Sequence, residues 1–187
     1  HGRATGQIGN DENGIIVESQ WDTASYGALS LNGAALTTGG DSPTGNRIAL
    51  ALQQRNLPVD GGWRVNNGLG TINTANIDLL RNQLRFYLPT APILGVSSEW
   101  FGPGSAQILG SVGEPGLFQG VRVPGFETLG GSIATLGGQW SPSDPWDLGA
   151  QVVGAHDVTA LNGFTSSTDT QQSSTTGLLT AAWHNPI

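Results

Sequence analysis

The sequence predicts an all-β fold, either an antiparallel up-and-down β-barrel or a segment of one. Apolar residues alternate with polar or small ones in most apolar stretches of the 187-residue chain, which is the strand period. Turn-forming clusters separate these stretches, and short connections alternate with long polar ones. The length suits one domain with a real core. A β-sandwich is the alternative, because it shows the same alternation.

The strands follow in order along the chain. Clear alternation covers 26–37, 47–53, 83–88 and 146–158, and weaker alternation covers 93–100, 107–112, 132–140 and 177–183. We therefore expect roughly eight to ten strands of ordinary length. One short segment, 75–84, has helix-like spacing. In terms of domains, we expect a flexible N-terminal segment over 1–19 and a single antiparallel β domain over 20–187.

The connections differ in length. The stretches 37–46 and 141–145 are rich in Gly, Pro, Asp and Ser and predict turns. The stretch 159–177 is a long Ser/Thr-rich segment that predicts a polar loop. Outer-membrane barrels combine brief turns at one end with longer loops at the other. A sandwich with one long loop would have a similar pattern.

The composition narrows the class of protein. Only 11% of residues are charged and none is Lys, whereas a typical soluble domain has about 25%. The face opposite each apolar row carries Gly, Ala, Ser, Asn and Gln, where a soluble sheet would show Lys and Glu. Small and amide side chains suit a barrel lumen or a packed face. A polar β-protein from an Arg-preferring genome is the alternative.

Charge and cysteine content exclude several functions. The net charge is −7 and the seven Arg are scattered, which argues against binding to a phosphate backbone and so against a nucleic-acid partner. Without Cys there is no disulfide framework or thiolate metal site. No Met or signal-like segment is present, so we expect a processed chain or a piece of a larger one. No run of 18 apolar residues exists, which excludes a transmembrane helix but not a spanning strand.

Tryptophan lies near the predicted strand ends. Aromatic residues at the boundary between water and hydrocarbon form the girdles of membrane barrels. The alternative is that these rings fill cores and edges. The predicted membrane-interface residues are Trp63, Trp100, Trp140, Trp146 and Trp183.

The segment 113–131, "GEPGLFQGVRVPGFETLGG", combines glycine hinges with apolar side chains. Such a segment predicts a kinked extended ribbon, as at barrel corners and bulges. Glu114, Arg122 and Glu127 are the candidate lumen or gating residues, and we expect Arg122 to pair with Glu114 or Glu127 because a lone buried charge is costly. The alternative is an irregular loop with a hydrophobic anchor.

Metal and catalytic chemistry have little support. His1 could bind copper through its amine and imidazole, with His156 or His184 as a partner, as in polysaccharide monooxygenases. His156 and Asp157 are adjacent in a predicted strand and should point to opposite faces, so they do not predict a catalytic pair. Glycoside hydrolysis needs a pair of carboxylates, and the spacing of Asp and Glu along the sequence does not single out such a pair. No catalytic residue and no cofactor are predicted, other than copper under this alternative.

The stretch 84–158 resembles the outer-membrane usher-type β-barrels of pilus assembly. The resemblance lies in "G-x-x-x-P-G-F" (120–126), "W-x-L-G-A-Q" (146–151) and the returning "GLLTAAW" (177–183). It implies a large barrel that translocates folded pilin subunits, gated by a plug domain, with periplasmic domains that recruit chaperone–subunit complexes. The chain is far shorter than an usher, has no recognisable plug and lacks the paired cysteines. The resemblance covers 20–158 and implies no catalytic or binding residues.

Together these features predict an outer-membrane or cell-surface barrel that transports or secretes pilus or surface-protein subunits. Its partners would be the lipid bilayer and exported subunits. The alternative is a secreted β-sandwich that binds carbohydrate, with copper at His1 if it is a monooxygenase. A structural subunit of a surface assembly is a third possibility. Detergent dependence would separate the first two.

Overall fold

A computed structural model describes residues 10–40, 45–81, 90–120, 122–159 and 171–183. Strands dominate these residues, with one 3-10 turn at Asp60–Gly62 and one four-residue helix, α1, at Asp78–Arg81. The strands are β1 Asn10–Thr23, β2 Gly27–Gly40, β3 Gly45–Val59, β4 Trp63–Asn73, β5 Pro92–Phe101, β6 Gln107–Gln119, β7 Gly125–Thr128, β8 Ser132–Ser143, β9 Trp146–Thr159 and β10 Gln171–Trp183.

The strands form one antiparallel up-and-down sheet. Each pairs with its neighbours in the order β1-β2-β3-β4-β5-β6-β8-β9-β10, and the short β7 pairs with the end of β6. Over the described residues, β1 and β10 are the two edges and the sheet is not closed. The predicted all-β antiparallel architecture is confirmed, and the open sheet fits either a barrel segment or a sandwich.

Most predicted strands are present, but β1, β4 and β7 were not predicted as strands, and β10 begins at Gln171, inside the predicted loop 159–177. Residues 10–19, which we assigned to the N-terminal segment, pair along β2 as part of β1. The run Ile15-Ile16-Val17 does not alternate, so the strand period is hidden there. Strand β4 was also not predicted, since its glycines weaken the pattern. The predicted strand 83–88 lies outside the described residues, as do residues 1–9.

The two faces of the sheet differ in which side chains are exposed. On β3, Leu50 is 53% exposed, whereas its neighbours Ala49 and Ala51 are each 7% exposed. The same contrast holds on the strands that follow. The exposed apolar side chains of this outer face include Ile48, Leu52, Leu69, Val96, Ile108, Val112, Leu136, Val152 and Leu179.

The outer face is continuous because the register aligns its apolar rows. One cross-strand row runs through Leu31, Leu52, Leu69, Val96 and Val112 on five successive strands. Cross-strand neighbours on one face contact each other directly. The result is an apolar surface that spans the width of the sheet.

The inner face carries the buried positions, which combine many small and polar side chains with a few large aliphatic ones: Leu36, Ile72, Ile93 and Leu109. Its buried polar side chains include Gln107, Ser111, Thr135, Gln139 and Gln151. Two parts of the chain cover this face, so the core consists of small clusters beneath them. Among the described residues, no helix has the length and apolar character to cross a bilayer.

Candidate functional site: the inner face and the aromatic edge

The first covering element is the inner segment, residues 74–81, which leaves β4 and contains α1. Its apolar side chains point into the sheet: Ile77 is fully buried, Ala75 is 3% exposed and Leu80 is 5% exposed. They pack around Leu109 of β6. Of the segment 75–84, whose spacing is helix-like, only 78–81 form the helix α1; residues 75–77 are not helical, and 82–84 lie outside the described part of the chain.

Three glutamines hold the inner segment by its backbone. Gln151 Oε1 accepts the Ile77 N–H at 3.0 Å, Gln107 Oε1 accepts that of Asp78 at 2.9 Å, and Gln139 Oε1 accepts that of Leu79 at 2.8 Å. These are N–H groups at the start of a helix, which have no partner within the helix. We call these three residues, on β9, β6 and β8, the glutamine cradle.

Glycines on β8 and β9 make room for Ile77. A Cβ built at Gly149 would lie 2.7 Å from Ile77 Cδ1, and one at Gly137 would lie 3.1 Å from Ile77 Cγ2. A side chain at either position would push the inner segment away from the sheet. At the end of α1, Arg81 lies 3.3 Å from the Glu99 carboxylate and 3.2 Å from that of Asp78.

The second covering element is the ribbon, residues 113–131. Strand β6 pairs with β8 as far as Gly113, and beyond that point it pairs with β7 instead. The predicted kinked ribbon is therefore a hairpin that leaves the sheet. Gly120 has φ +104°, a value that favours glycine, at the end of β6 where the chain turns.

The ribbon packs on β2 and β3 through few apolar groups. Phe126 is 8% exposed and packs with Ala34 and Ala49, and Val123 lies against the same cluster. Phe118 contacts the Phe126 ring edge-on with centroids 5.2 Å apart, yet is 49% exposed. The ribbon is thus anchored mainly by one aromatic ring.

The charges of the ribbon do not pair as predicted. Glu127 forms a salt bridge with Arg47 of β3 at 3.1 Å and also accepts a hydrogen bond from Gln119. Glu114 accepts the Gly130 N–H at 3.2 Å. Among the described residues, neither carboxylate lies within salt-bridge distance of Arg122, whose backbone N–H instead faces Glu12 at 3.4 Å. The predicted Arg122 pairing is wrong because Arg47, remote in sequence, lies opposite Glu127.

All the tryptophans lie at one end of the sheet. Because the strands are antiparallel, β1, β5, β8 and β10 finish at the same end of the sheet at which β4 and β9 begin. Each of these six strands carries a Trp at that end. The register puts their side chains on the outer face; Trp146 and Trp183 are direct cross-strand partners. The set comprises Trp21, Trp63, Trp100, Trp140, Trp146 and Trp183.

The end of the sheet that carries the six tryptophans also carries the short connections. The turns at 24–26, 60–62, 102–106 and 144–145 all lie at this end of the sheet. The two longest connections, 74–91 and 160–170, join strands at the other end of the sheet, where the four-residue connection 41–44 also joins β2 to β3. Short turns at one end and long connections at the other are typical of outer-membrane barrels.

His156 and Asp157 are closer than the strand period predicts. His156 Nδ1 lies 3.1 Å from Asp157 Oδ2. Asp157 has φ +51°, and the pairing of β9 with β10 is shifted nearby, so side-chain alternation is interrupted. Ser173 Oγ contacts the same carboxylate at 3.4 Å rather than the imidazole. The expectation that His156 and Asp157 point to opposite faces is therefore wrong. The Ser173 hydroxyl nevertheless contacts Asp157 and not His156, so the three residues do not form a nucleophile–base pair.

The candidate copper ligands His1 and His184 lie outside the described residues. Within the described ranges, no three His, Cys, Asp or Glu side chains come together in a group that could hold a metal ion. Comparison with known protein families, curated proteins and solved structures found no match to this chain.

Several of these residues were not predicted from sequence. The glutamine cradle consists of single Gln residues on three strands, and only the register shows that they converge. Arg47 is an isolated Arg in an alternating strand. Trp21 was not predicted either, but the sequence does contain a signal for it: it lies just before the turn 24–26, as the other five tryptophans lie near strand ends.

Proposed function

We propose that this chain forms part of an outer-membrane β-barrel that transports or secretes surface-protein subunits, in the manner of pilus ushers. The observation that carries this proposal is the distribution of side chains on the sheet: an apolar face is exposed, and the opposite face, rich in small and polar residues, is partly covered. In water, so large an exposed apolar surface would be an unusual liability. In a bilayer it is the favoured outer surface.

The dimensions and aromatic residues support a membrane position. The nine strands of the main sheet have 10–15 residues, and a tilted strand needs about 9–11 to cross a bilayer. Six tryptophans on the outer face at one end match an interfacial girdle. The ends with short turns would face the periplasm, as in outer-membrane barrels.

The inner face supports a transport path. Its amide, hydroxyl and small side chains are compatible with a hydrated lumen. The inner segment and the ribbon lie across this face, and the ribbon is the element that we propose to act as a gate. Arg47 and Glu127 hold it, and Glu114 and Arg122 lie within it. The resemblance to ushers supports exported protein subunits as the cargo.

Membrane insertion is tested with paired arginine substitutions on β8. Leu136 is 67% exposed at the middle of the outer face, and Ser132 is exposed at the start of the same strand. Leu136→Arg should reduce stability in lipid vesicles by about 2–4 kcal/mol, and Ser132→Arg by about 0–1, because the cost falls away from the midplane. Equal effects in vesicles, or a monomer that needs no detergent, would contradict the proposal and favour the secreted β-sandwich.

Gating is tested by conductance across planar bilayers. Glu127→Gln removes the salt bridge to Arg47, so we expect more frequent or longer openings. Asp60→Asn makes the same chemical change in an exposed turn and should behave as the wild type. Unchanged openings in Glu127→Gln would show that the ribbon is not a gate held by this contact.

A further inference from the structure

A polar cleft of about 350 Å³ lies between β3, β4 and β5, apart from the glutamine cradle and the ribbon. This volume is at the lower end of small-molecule sites. Ile72 is the one aliphatic side chain among its described lining residues. The polar side chains that line it include those of Gln53, Arg55, Asn66, Asn73, Ser97 and Glu99.

The cleft exists because of two backbone features. The pairing of β3 with β4 shifts between Gln54 and Leu57, and Asn56 adopts φ +56°, with its N–H donated to Asn66 Oδ1 at 2.8 Å. Farther along β4, Gly68 lies between its cross-strand partners Gln53 and Ser97. A Cβ at Gly68 would lie 2.7 Å from Ser97 Oγ, so glycine keeps this part of the cleft open.

Part of the lining is already hydrogen-bonded, which fixes its orientation. Gln53 Oε1 accepts from Arg55 at 2.8 Å, and Glu99 Oε1 accepts from Arg81 at 3.3 Å. Within the described part of the chain, Gln53 Nε2, the side-chain amide of Asn73, Ser97 Oγ and the second Glu99 oxygen have no hydrogen-bond partner. The cleft thus presents amide donors, a hydroxyl and a carboxylate acceptor together.

The charges around the cleft balance. Arg55 and Glu99 line it, while Arg81 and Asp78 lie just behind Glu99. Two positive and two negative groups leave no net charge to attract an ion. A ligand suited to this site is neutral, polar and able to donate and accept hydrogen bonds at closely spaced positions.

We propose that this cleft binds a neutral saccharide. Each sugar hydroxyl both donates and accepts a hydrogen bond, which matches a mixed set of amide, hydroxyl and carboxylate groups. A neutral sugar also fits the balanced charge and the scarcity of apolar lining. This site goes beyond the proposed transport function and does not rest on it, since binding can be measured without a membrane potential or a cargo.

The test measures binding of maltose, lactose and sucrose to the full chain by saturation-transfer NMR and calorimetry, in detergent or buffer as solubility requires. Gly68→Ala places a methyl group in the cleft against Ser97 Oγ, and Gly110→Ala adds the same methyl where the nearest neighbour is 3.6 Å away. Ser97→Ala and Asn73→Ala each remove polar groups without filling the site. Trialanine serves as a neutral peptide probe of similar size.

Saturable binding of at least one disaccharide is expected. Gly68→Ala should abolish it and Gly110→Ala should leave it unchanged. Ser97→Ala and Asn73→Ala should each weaken it by about two- to tenfold, the usual effect of one lost hydrogen bond. Absence of binding to all three sugars, equal binding by Gly68→Ala, or preferential binding of trialanine would overturn the proposal. Failure here would leave the vesicle test of Leu136→Arg unaffected, so the two proposals fail separately.

Discussion

The inner segment and the ribbon cover the same face of the sheet but are held in different ways. Ile77 in the inner segment is fully buried, and three glutamine side chains accept the backbone N–H groups of Ile77, Asp78 and Leu79. The ribbon depends on Phe126 and on a salt bridge whose side chains are 24% and 46% exposed. Removing one partner of a buried hydrogen bond leaves the other partner unsatisfied and lowers stability substantially, whereas exposed ion pairs contribute little to stability. The comparison therefore predicts a fixed element and a releasable one.

The largest effect should come from Ile77→Ala in the inner segment. Loss of this buried side chain should lower the free energy of unfolding by about 2–5 kcal/mol, because it removes burial and leaves a cavity. Chemical denaturation followed by tryptophan fluorescence measures the change. Ile16→Ala, on the inner face of β1 opposite Ala34, is the control, since Ile16 is 50% exposed and its truncation should cost about 1 kcal/mol or less. Similar losses in both variants would mean that the inner segment is not packed as described.

The glutamine cradle should give the next largest effect. Gln151→Leu removes the acceptor of the Ile77 N–H and a donor to Asn76 Oδ1. The unsatisfied Ile77 N–H should cost about 1–3 kcal/mol. Denaturation under the same conditions measures it, and Gln172→Leu on the exposed part of β10 is the matched control. A neutral result for Gln151→Leu would show that these hydrogen bonds do not hold the segment.

Phe126→Ala should separate the ribbon from the inner segment, because we expect it to destabilise the ribbon alone. Loss of the ring removes the main apolar anchor of the ribbon, so the ribbon should open without the whole sheet unfolding. Hydrogen exchange should become faster for the amides of β7, while those of β4 and β5 stay protected. Equal acceleration throughout the sheet would show that the ribbon unfolds only with the rest of the protein.

The smallest effect should come from Arg47→Gln. An exposed or half-buried ion pair contributes about 0–1 kcal/mol, and salt screens it. The loss should be measurable by denaturation at low ionic strength and should shrink at high ionic strength. Arg64→Gln, on an exposed residue of β4, controls for the loss of a positive charge. A salt-independent loss would contradict an electrostatic role for this contact.

The sequence predicted those parts of the fold that depend on local patterns. Alternation located β2, β3, β5, β8 and β9, and the contrast between apolar and small residues predicted which side is covered. The glutamine cradle and the Arg47–Glu127 contact could not be predicted, because they join residues more than 25 positions apart. Strand register decides such contacts, and the alternation within one strand does not show which residues of the other strands lie beside it. His156 and Asp157 were placed apart because a bulge has no clear sequence signal.

Strands β1 and β10 each turn one row of backbone amides and carbonyls away from their described neighbours. Hydrocarbon offers no water to such groups, and each bare one costs several kcal/mol. In the membrane position that we propose, lateral pairing and entry into the bilayer would be coupled: the strands that pair with these two edges would have to be in place as the apolar surface meets lipid.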